Sequence, residues 1–270
     1  MQLARKLILV VLGLIWLIPI YLMVINAAKL SSNYGNATVW IPSDLSGLFQ
    51  NFADALDRGR IARGLTSTFI YSIVSPMVAV IIGAMAGFAI VALKVKRAFM
   101  WFVIIFSATV FPIQMVLMPL FIGYVEAGIF DTRVGMILIY TVISVPFSAF
   151  VMRNFFSGIA HQVYEAAAID GASAFQTFFR IYLPMSKSAL FAVFILQATF
   201  IWNDLLLGLS LSQDQDVRPV MTTLAAMQTT YGGSTMPVVL AGGLLVSLPT
   251  IVLFLFTQRY FTQGLALGQY

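Results

Sequence analysis

Cysteine is absent from this 270-residue chain, and histidine occurs once, as His161. Without cysteine there is no disulfide, no thiolate nucleophile and no Cys-ligated metal. One imidazole cannot make a histidine-cluster metal site. Charge is scarce as well: Asp, Glu, Lys and Arg together make up 9% of the residues, against about 25% in soluble domains. What fills the chain instead is apolar, 60% of it, with 23 Phe and 13 Met. Such a composition cannot cover a water-facing surface, so the chain reads as an all-α integral membrane protein. The net charge of +5 would suggest nucleic acid in a soluble protein. Here the basic residues sit at the ends of apolar runs, where membrane topology accounts for them.

A spanning helix needs about 20 largely apolar residues, and six such stretches can be marked off. Lys6 and Lys29 bracket the first, Leu7 to Ala28, with no charge between them. It is too long for a signal-peptide core and lacks a small-residue cleavage site, so it is expected to be retained. Ser31 to Arg63 is a polar loop. Within it Trp40-Ile41-Pro42 looks like a wedge at the membrane interface, and Asn51 to Leu65 like a short amphipathic helix. The second span lies within Gly64 to Leu93, with Pro76 predicting a kink. Lys94-Val95-Lys96-Arg97 makes a tight basic turn.

The third span lies within Ala98 to Val125 and contains Phe111-Pro112-Ile113-Gln114 and Met118-Pro119-Leu120. Two prolines at mid-span should bend or break it, and irregular backbone at that depth is tolerated only where protein or water lines it. After the polar loop Glu126 to Arg133 comes the fourth span, Val134 to Met152, with Pro146 inside. The fifth is expected from Ser188 to about Leu211 and contains Trp202-Asn203-Asp204. The polar loop Gln213 to Ser234, with the pair Gly232-Gly233, leads to the sixth, Pro237 to Thr257, and Arg259 follows. One transmembrane domain covers 1–270, with an extra N-terminal span at 7–28, a core of five spans over 64–257, and a connecting loop at 153–187.

Orientation follows from the basic residues. If both termini, the 94–97 turn and the 153–187 loop share one side, that side holds nine basic and two acidic residues, +7, and the other six and eight, −2. The positive-inside rule then puts both termini and the 153–187 loop in the cytoplasm.

That loop is the most informative stretch. Val163 to Asp170 reads as a short helix, rich in alanine, the best helix former. Gly171 suits the left-handed residue that ends a helix. A second helix follows, in which Phe175, Phe178, Phe179 and Tyr182 fall at i, i+3, i+4 and i+7, one face of a helix. Pro184 cannot donate a backbone hydrogen bond and marks an exit turn. A structured loop of this kind is suited to being gripped by another protein. Glu165 offers a charge to a basic partner, Ala166, Ala167 and Ala168 allow close approach, and Phe175 and Phe178 offer apolar contact. The alternative is that the aromatic face packs on the chain's own helices.

Three polar groups within spans are candidates for a translocation path or gate. Gln114 carries two donors and an acceptor, which suits the hydroxyls of a polar cargo, and it equally suits a helix-packing hydrogen bond. Asn203 and Asp204 fall in a span, where an ionisable group is a functional hypothesis by default. Asp204 is also close enough to the outer end of its helix to sit hydrated, with Trp202 in an interfacial belt. His161 lies in the cytoplasmic loop and reads as a solvated side chain.

The spacing Glu165-Ala166-Ala167, three residues, Gly171, nine residues, Ile181, one residue, Leu183-Pro184 resembles the "EAA…G…I-LP" loop of permease subunits of ATP-binding-cassette (ABC) importers. Phe111-Pro112-Ile113-Gln114 with Met118-Pro119, Trp202-Asn203-Asp204, and Gln258-Arg259-Tyr260-Phe261 with Gly264-Leu265 resemble one subfamily. It is the carbohydrate-importer permeases similar to the six-span subunit of the maltose transporter, and the resemblance covers about residues 60 to 268. It implies the type I importer permease fold with a cytoplasmic coupling helix. It implies that Glu165, Ala166, Ala167, Ala168, Asp170, Gly171, Phe175 and Phe178 dock into a cleft on a nucleotide-binding subunit. The implied partners are a second, different permease, two ATP-binding subunits carrying ATP and Mg, and an extracytoplasmic sugar-binding protein facing the 213–234 loop. In the maltose system the partner permease carries most of the sugar site. The implied location is a prokaryotic cytoplasmic membrane.

The chain has no G-x-x-x-x-G-K-[ST] phosphate-binding loop, so it is not expected to be an enzyme or to hold a cofactor of its own. Oligosaccharide, disaccharide, polyol and glycerol phosphate importers share these motifs. An ion-coupled secondary transporter is the nearest rival class; it usually needs buried carboxylates or discontinuous helices for the ion, Asp204 alone is on offer, and the structured cytoplasmic loop would be unexplained.

Overall fold

The computed structural model describes residues 2–32, 34, 38–43, 45–228 and 233–266, with the side chains of 2, 3 and 258–266 left aside. Gly232 of the glycine pair and the side chains of Gln258, Arg259, Tyr260, Phe261 and Leu265 therefore lie outside the described residues. Among the described residues the structure is helical, with no strand. In chain order the helices are α1 Gln2–Ala27, α2 Leu48–Asp57, α3 Ile61–Val91, α4 Ala98–Ser107, α5 Ile113–Glu126, α6 Arg133–Ser157 and α7 Gln162–Ile169. There follow α8 Ala174–Thr177, a π-helical turn Phe178–Tyr182, α9 Leu183–Met185, α10 Lys187–Trp202, α11 Leu206–Leu211, α12 Val220–Met227 and α13 Met236–Ala266. Four helices are long and apolar enough to cross a membrane: α1, α3, α6 and α13. A fifth is reached if the bent pair Ala174–Met185 and Lys187–Trp202 counts as one span. The expected third span is made of two shorter apolar helices, α4 and α5.

Two compact units are present: Met1–Leu65 with Val220–Leu253, and Thr66–Pro219 with Phe254–Tyr270. In the first, α1 is exposed from Ala4 to Tyr21 and becomes buried over Ile25–Ala27. That end is tied down through its own orphan carbonyls. Asn51 Nδ2 of α2 donates to Ala27 O and Lys29 O, both at 2.8 Å, and Gly47 N–H donates to Ala28 O. Gly47 is required there, because a Cβ would come within 2.7 Å of Lys29 O. The amphipathic helix expected over Asn51 to Leu65 is corrected. α2 stops at Asp57, the chain turns at Arg58–Arg60 with Arg60 at φ 55°, and α3 already begins at Ile61. Ala55, Ile61, Val220, Met227 and Val246 form the core of this unit.

In the second unit α3 and α6 cross at Gly83 and Gly87. A Cβ at Gly83 would meet Ala149 N at 2.6 Å, and one at Gly87 would meet Arg153 N at 2.8 Å. This is a small-xxx-small contact, which lets two backbones approach inside a membrane. Two apolar clusters lie along the unit. One gathers Tyr71, Tyr124, Tyr140 and Ile201; the other gathers Phe88, Met152, Phe156, Phe178 and Tyr182.

The interrupted spans break where a polar side chain can satisfy the loose backbone or where a proline leaves no N–H to satisfy. The third breaks at 108–112, and Pro112 sits at the N-terminal boundary of α5, where its missing N–H costs nothing. Pro119 is carried inside α5, and Pro76 inside an unbroken α3. The expected fifth span, Ser188 to about Leu211, is corrected: α10 ends at Trp202, and α11 restarts at Leu206.

Candidate functional site

The 161–186 loop is defined by local caps. α7 ends in a Schellman arrangement, with Ala172 N–H donating to Ala167 O at 2.9 Å and Gly171 N–H to Ala168 O at 3.1 Å. Gly171 takes φ +78° there. Ser173 then opens α8 with a capping box: its Oγ accepts Gln176 N–H, and Gln176 Oε1 accepts Ser173 N–H at 2.9 Å. The break that follows α7 is therefore specified from within three to five residues on either side.

The aromatic face expected over Phe175, Phe178, Phe179 and Tyr182 is split. Phe178 and Tyr182 are buried, at 3% and 1% exposure. Phe88 of α3 meets Tyr182 at 4.8 Å and Phe178 at 5.3 Å between ring centroids. Phe156 of α6 meets Tyr182 at 5.5 Å. Phe178 is thus an anchor to the chain's own helices and offers no free surface. Phe175 and Phe179 form the outward pair, 4.5 Å apart. The π turn and the (i, i+4) spacing produce the split: 178 with 182 inward, 175 with 179 outward.

On α7, Glu165, Ala166, Ala168 and Asp170 are exposed, as is Gly171, while Ala167 is buried. Glu165 Oε1 lies 3.8 Å from Nε2 of the half-buried His161. The most exposed apolar side chain of the loop is Ile169, at 86%, with Phe175 at 65%. Ile169 went unnoticed in the sequence. Its signal is a large apolar residue after three alanines, beside Asp170 and Gly171, at the very end of a short helix. The expected exit turn at Pro184 is displaced. Pro184 sits in the first turn of α9. The chain turns at Ser186, whose Oγ donates to Tyr182 O, and the flanking helices lie at 78°.

Asn203 and Asp204 make the break in the fifth span. Asn203 Nδ2 donates to Thr199 O at 2.8 Å, satisfying a carbonyl near the end of α10. The Asp204 carboxylate accepts N–H groups of Leu207 at 3.4 Å and Gly208 at 3.1 Å, capping α11. It also accepts the hydroxyl of Tyr140 on α6 at 2.8 Å. Gln114 is exposed in the first turn of α5.

Beside the 108–112 break lies a groove of about 910 Å³. Phe111, Val116 and Pro119 line it from one side, and Val142, Pro146 and Phe200 are among its other walls. Gln114 does not line it. Gln197 does: it is 7% exposed, and its Nε2 donates to Ser144 O at 3.3 Å. Gln197 was missed in the sequence although it meets the test applied to Gln114, a lone amide within an apolar helix. Among the described residues no three of His, Asp and Glu come together as a metal site.

A model of the family described as binding-protein-dependent transport system inner membrane component matches residues 79–266. The chain is 31% identical over 254 residues to the melibiose/raffinose/stachyose import permease protein of Bacillus subtilis (strain 168), covering 93% of this chain and 90% of that one. It is 26% identical over 269 residues to the arabinooligosaccharides transport system permease protein of the same organism, covering 99% and 95%. Among solved structures, a bacterial ABC transporter involved in the import of the acidic polysaccharide alginate has a chain matching 96% of this one, and 96% of its own length, with a TM-score of 0.80 and 21% identity.

Proposed function

This chain belongs to the family of binding-protein-dependent transport system inner membrane components, and from that membership we propose that it is the permease subunit of an ATP-driven importer for a sugar of di- or oligosaccharide size. The relatives named for melibiose, raffinose, stachyose and arabino-oligosaccharides support that cargo class. Its partners are a second permease, two ATP-binding subunits that carry ATP and Mg, and an extracytoplasmic binding protein. Both termini face the cytoplasm, and the 165–184 loop passes the ATPase cycle to the spans as alternating access. Glu165, Ala166, Ala168, Asp170 and Gly171 are the docking surface.

One observation carries this reading. Ile169 and Phe175 are held outward, at 86% and 65% exposure, on a loop whose other side is anchored through Phe178 and Tyr182. A rigid element with an apolar tip and a buried root can transmit force; a solvated connecting loop needs neither. The test is Ile169→Glu in the tagged, full-length chain. Chain yield and thermal midpoint are expected to stay at wild-type values. Recovery of the ATPase should fall about tenfold, as 1.4 kcal/mol of lost contact gives. Uptake of labelled raffinose and arabino-oligosaccharides should fall with it. Undiminished ATPase recovery with the variant, or no ATPase with the wild type, overturns the reading.

A further inference from the structure

We propose that residues 38–41 fold back along α1 into the membrane boundary, where Trp40 and Ile41 are inserted among lipid acyl chains as an anchor for the loop after the first span. The segment has no regular structure, and three consecutive carbonyls of it each take a side-chain donor from α1 or its end. Lys29 Nζ donates to Thr38 O at 2.7 Å, Asn26 Nδ2 to Val39 O at 2.8 Å, and Tyr21 Oη to Trp40 O at 3.1 Å. The donors step down the helix as the segment advances, so the chain runs back alongside α1. Tyr21 lies six residues before Ala27, about 9 Å at the rise of an α-helix. Trp40 is therefore level with residues in the apolar stretch that Lys29 closes.

The donors chosen argue that water is absent there. In water these carbonyls need no protein partner; in hydrocarbon each one does. Lys29 is 1% exposed, and its Nζ also donates to Asn26 Oδ1 at 2.8 Å. Burying an amine is costly unless its bonds are made, and here it is spent on a loop carbonyl. Meanwhile the side chains point outward: Trp40 is 61% and Ile41 60% exposed. They continue the apolar surface of α1, where Ile20 is 57% and Trp16 79% exposed. An indole suits this place because it is apolar over most of its area with one polar N–H. A backbone made safe for hydrocarbon, with apolar side chains on its outer side, fits lipid as its occupant.

The absence of cysteine gives a clean test. Trp40→Cys and Ile41→Cys each place one thiol in the chain, for a nitroxide label. The chain with its co-purifying subunits goes into phosphatidylcholine–phosphatidylglycerol vesicles, and the unlabelled wild-type chain supplies the background. Oxygen, which concentrates in lipid, is expected to relax the labels at 40 and 41 more than a polar nickel chelate does, as at an Ile20→Cys control. Asp57→Cys on α2 should show the reverse order. A second measurement guards against a label that perturbs the segment: brominated lipids should quench the fluorescence that wild type has and Trp40→Phe lacks. Greater chelate access at 40 means water, and access to neither reagent means a covering protein; either result overturns the proposal, as does the absence of quenching.

Discussion

The 161–186 loop and the break at Asn203–Leu205 both interrupt helices with capped ends, and they are attached to the fold in opposite ways. In the loop, the caps are local, made by Gly171, Ser173 and Gln176 among themselves and their neighbours. Its attachment is separate and apolar, through Phe178 and Tyr182 against Phe88 and Phe156. At the span break, one carboxylate does both jobs: Asp204 caps α11 and receives the Tyr140 hydroxyl from α6. A device meant to move as a body benefits from separating its internal shape from its attachment. A break within a span is served by joining them, since every backbone group freed in hydrocarbon needs a partner.

Two substitutions set these designs against each other. Phe178→Ala removes a buried ring from the root of the loop, and about 3 kcal/mol should be lost, the lower end for aromatic truncation in a core. Thermal unfolding of the purified complex reads the loss. Amide exchange separates its parts: 178–186 should exchange faster, while the caps at 171–173 keep their protection. Equal loss at both would mean that the loop's shape depends on its attachment. Asp204→Ala should cost about 2 kcal/mol, because it leaves the Tyr140 hydroxyl and two N–H groups without their acceptor. Asp204→Asn keeps an oxygen for the cap and should cost less. If transport falls no further than stability for both, Asp204 is structural. If Asp204→Asn abolishes transport while the protein stays folded, the carboxylate serves the path or gate.

The same contrast explains what could be read from the amino-acid sequence. The loop was legible because its determinants are local: an alanine run, a glycine at the helix end, and aromatic residues at helical spacing. What the periodicity could not divide was Phe178 from Phe175, since the π turn and the depth of Phe88 and Phe156 are tertiary facts. The first, second, fourth and sixth spans were legible from length and apolarity alone. The fifth reads as longer than it is because Asn203 and Asp204 look like polar groups within a helix, whereas their side chains end one helix and start the next. Such caps are visible in a sequence only if an Asx pair in an apolar run is read as a boundary. Gly83 and Gly87 carried a G-x-x-x-G signal that marks close helix packing in membranes; it fell inside a span and added nothing to the span's detection.

Gly171→Ala tests the loop's local design with the smallest expected effect. Gly171 stands at φ +78°, and a Cβ built there meets nothing within 4 Å of this chain. The substitution therefore adds no clash, and its cost is the left-handed backbone alone, about 1 kcal/mol. Asparagine tolerates that conformation better, so Gly171→Asn should cost less than Gly171→Ala in the same thermal measurement. If glycine is needed only for the turn, ATPase recovery should follow stability, with alanine worse than asparagine. If the partner's surface comes close to Gly171, recovery should follow side-chain volume, and asparagine should be the worse of the two. The open space beside Gly171, next to exposed Ala168 and Ile169, makes the second order the expected one. The two rankings are opposite, so a small effect still decides whether this glycine shapes the loop for itself or for what grips it.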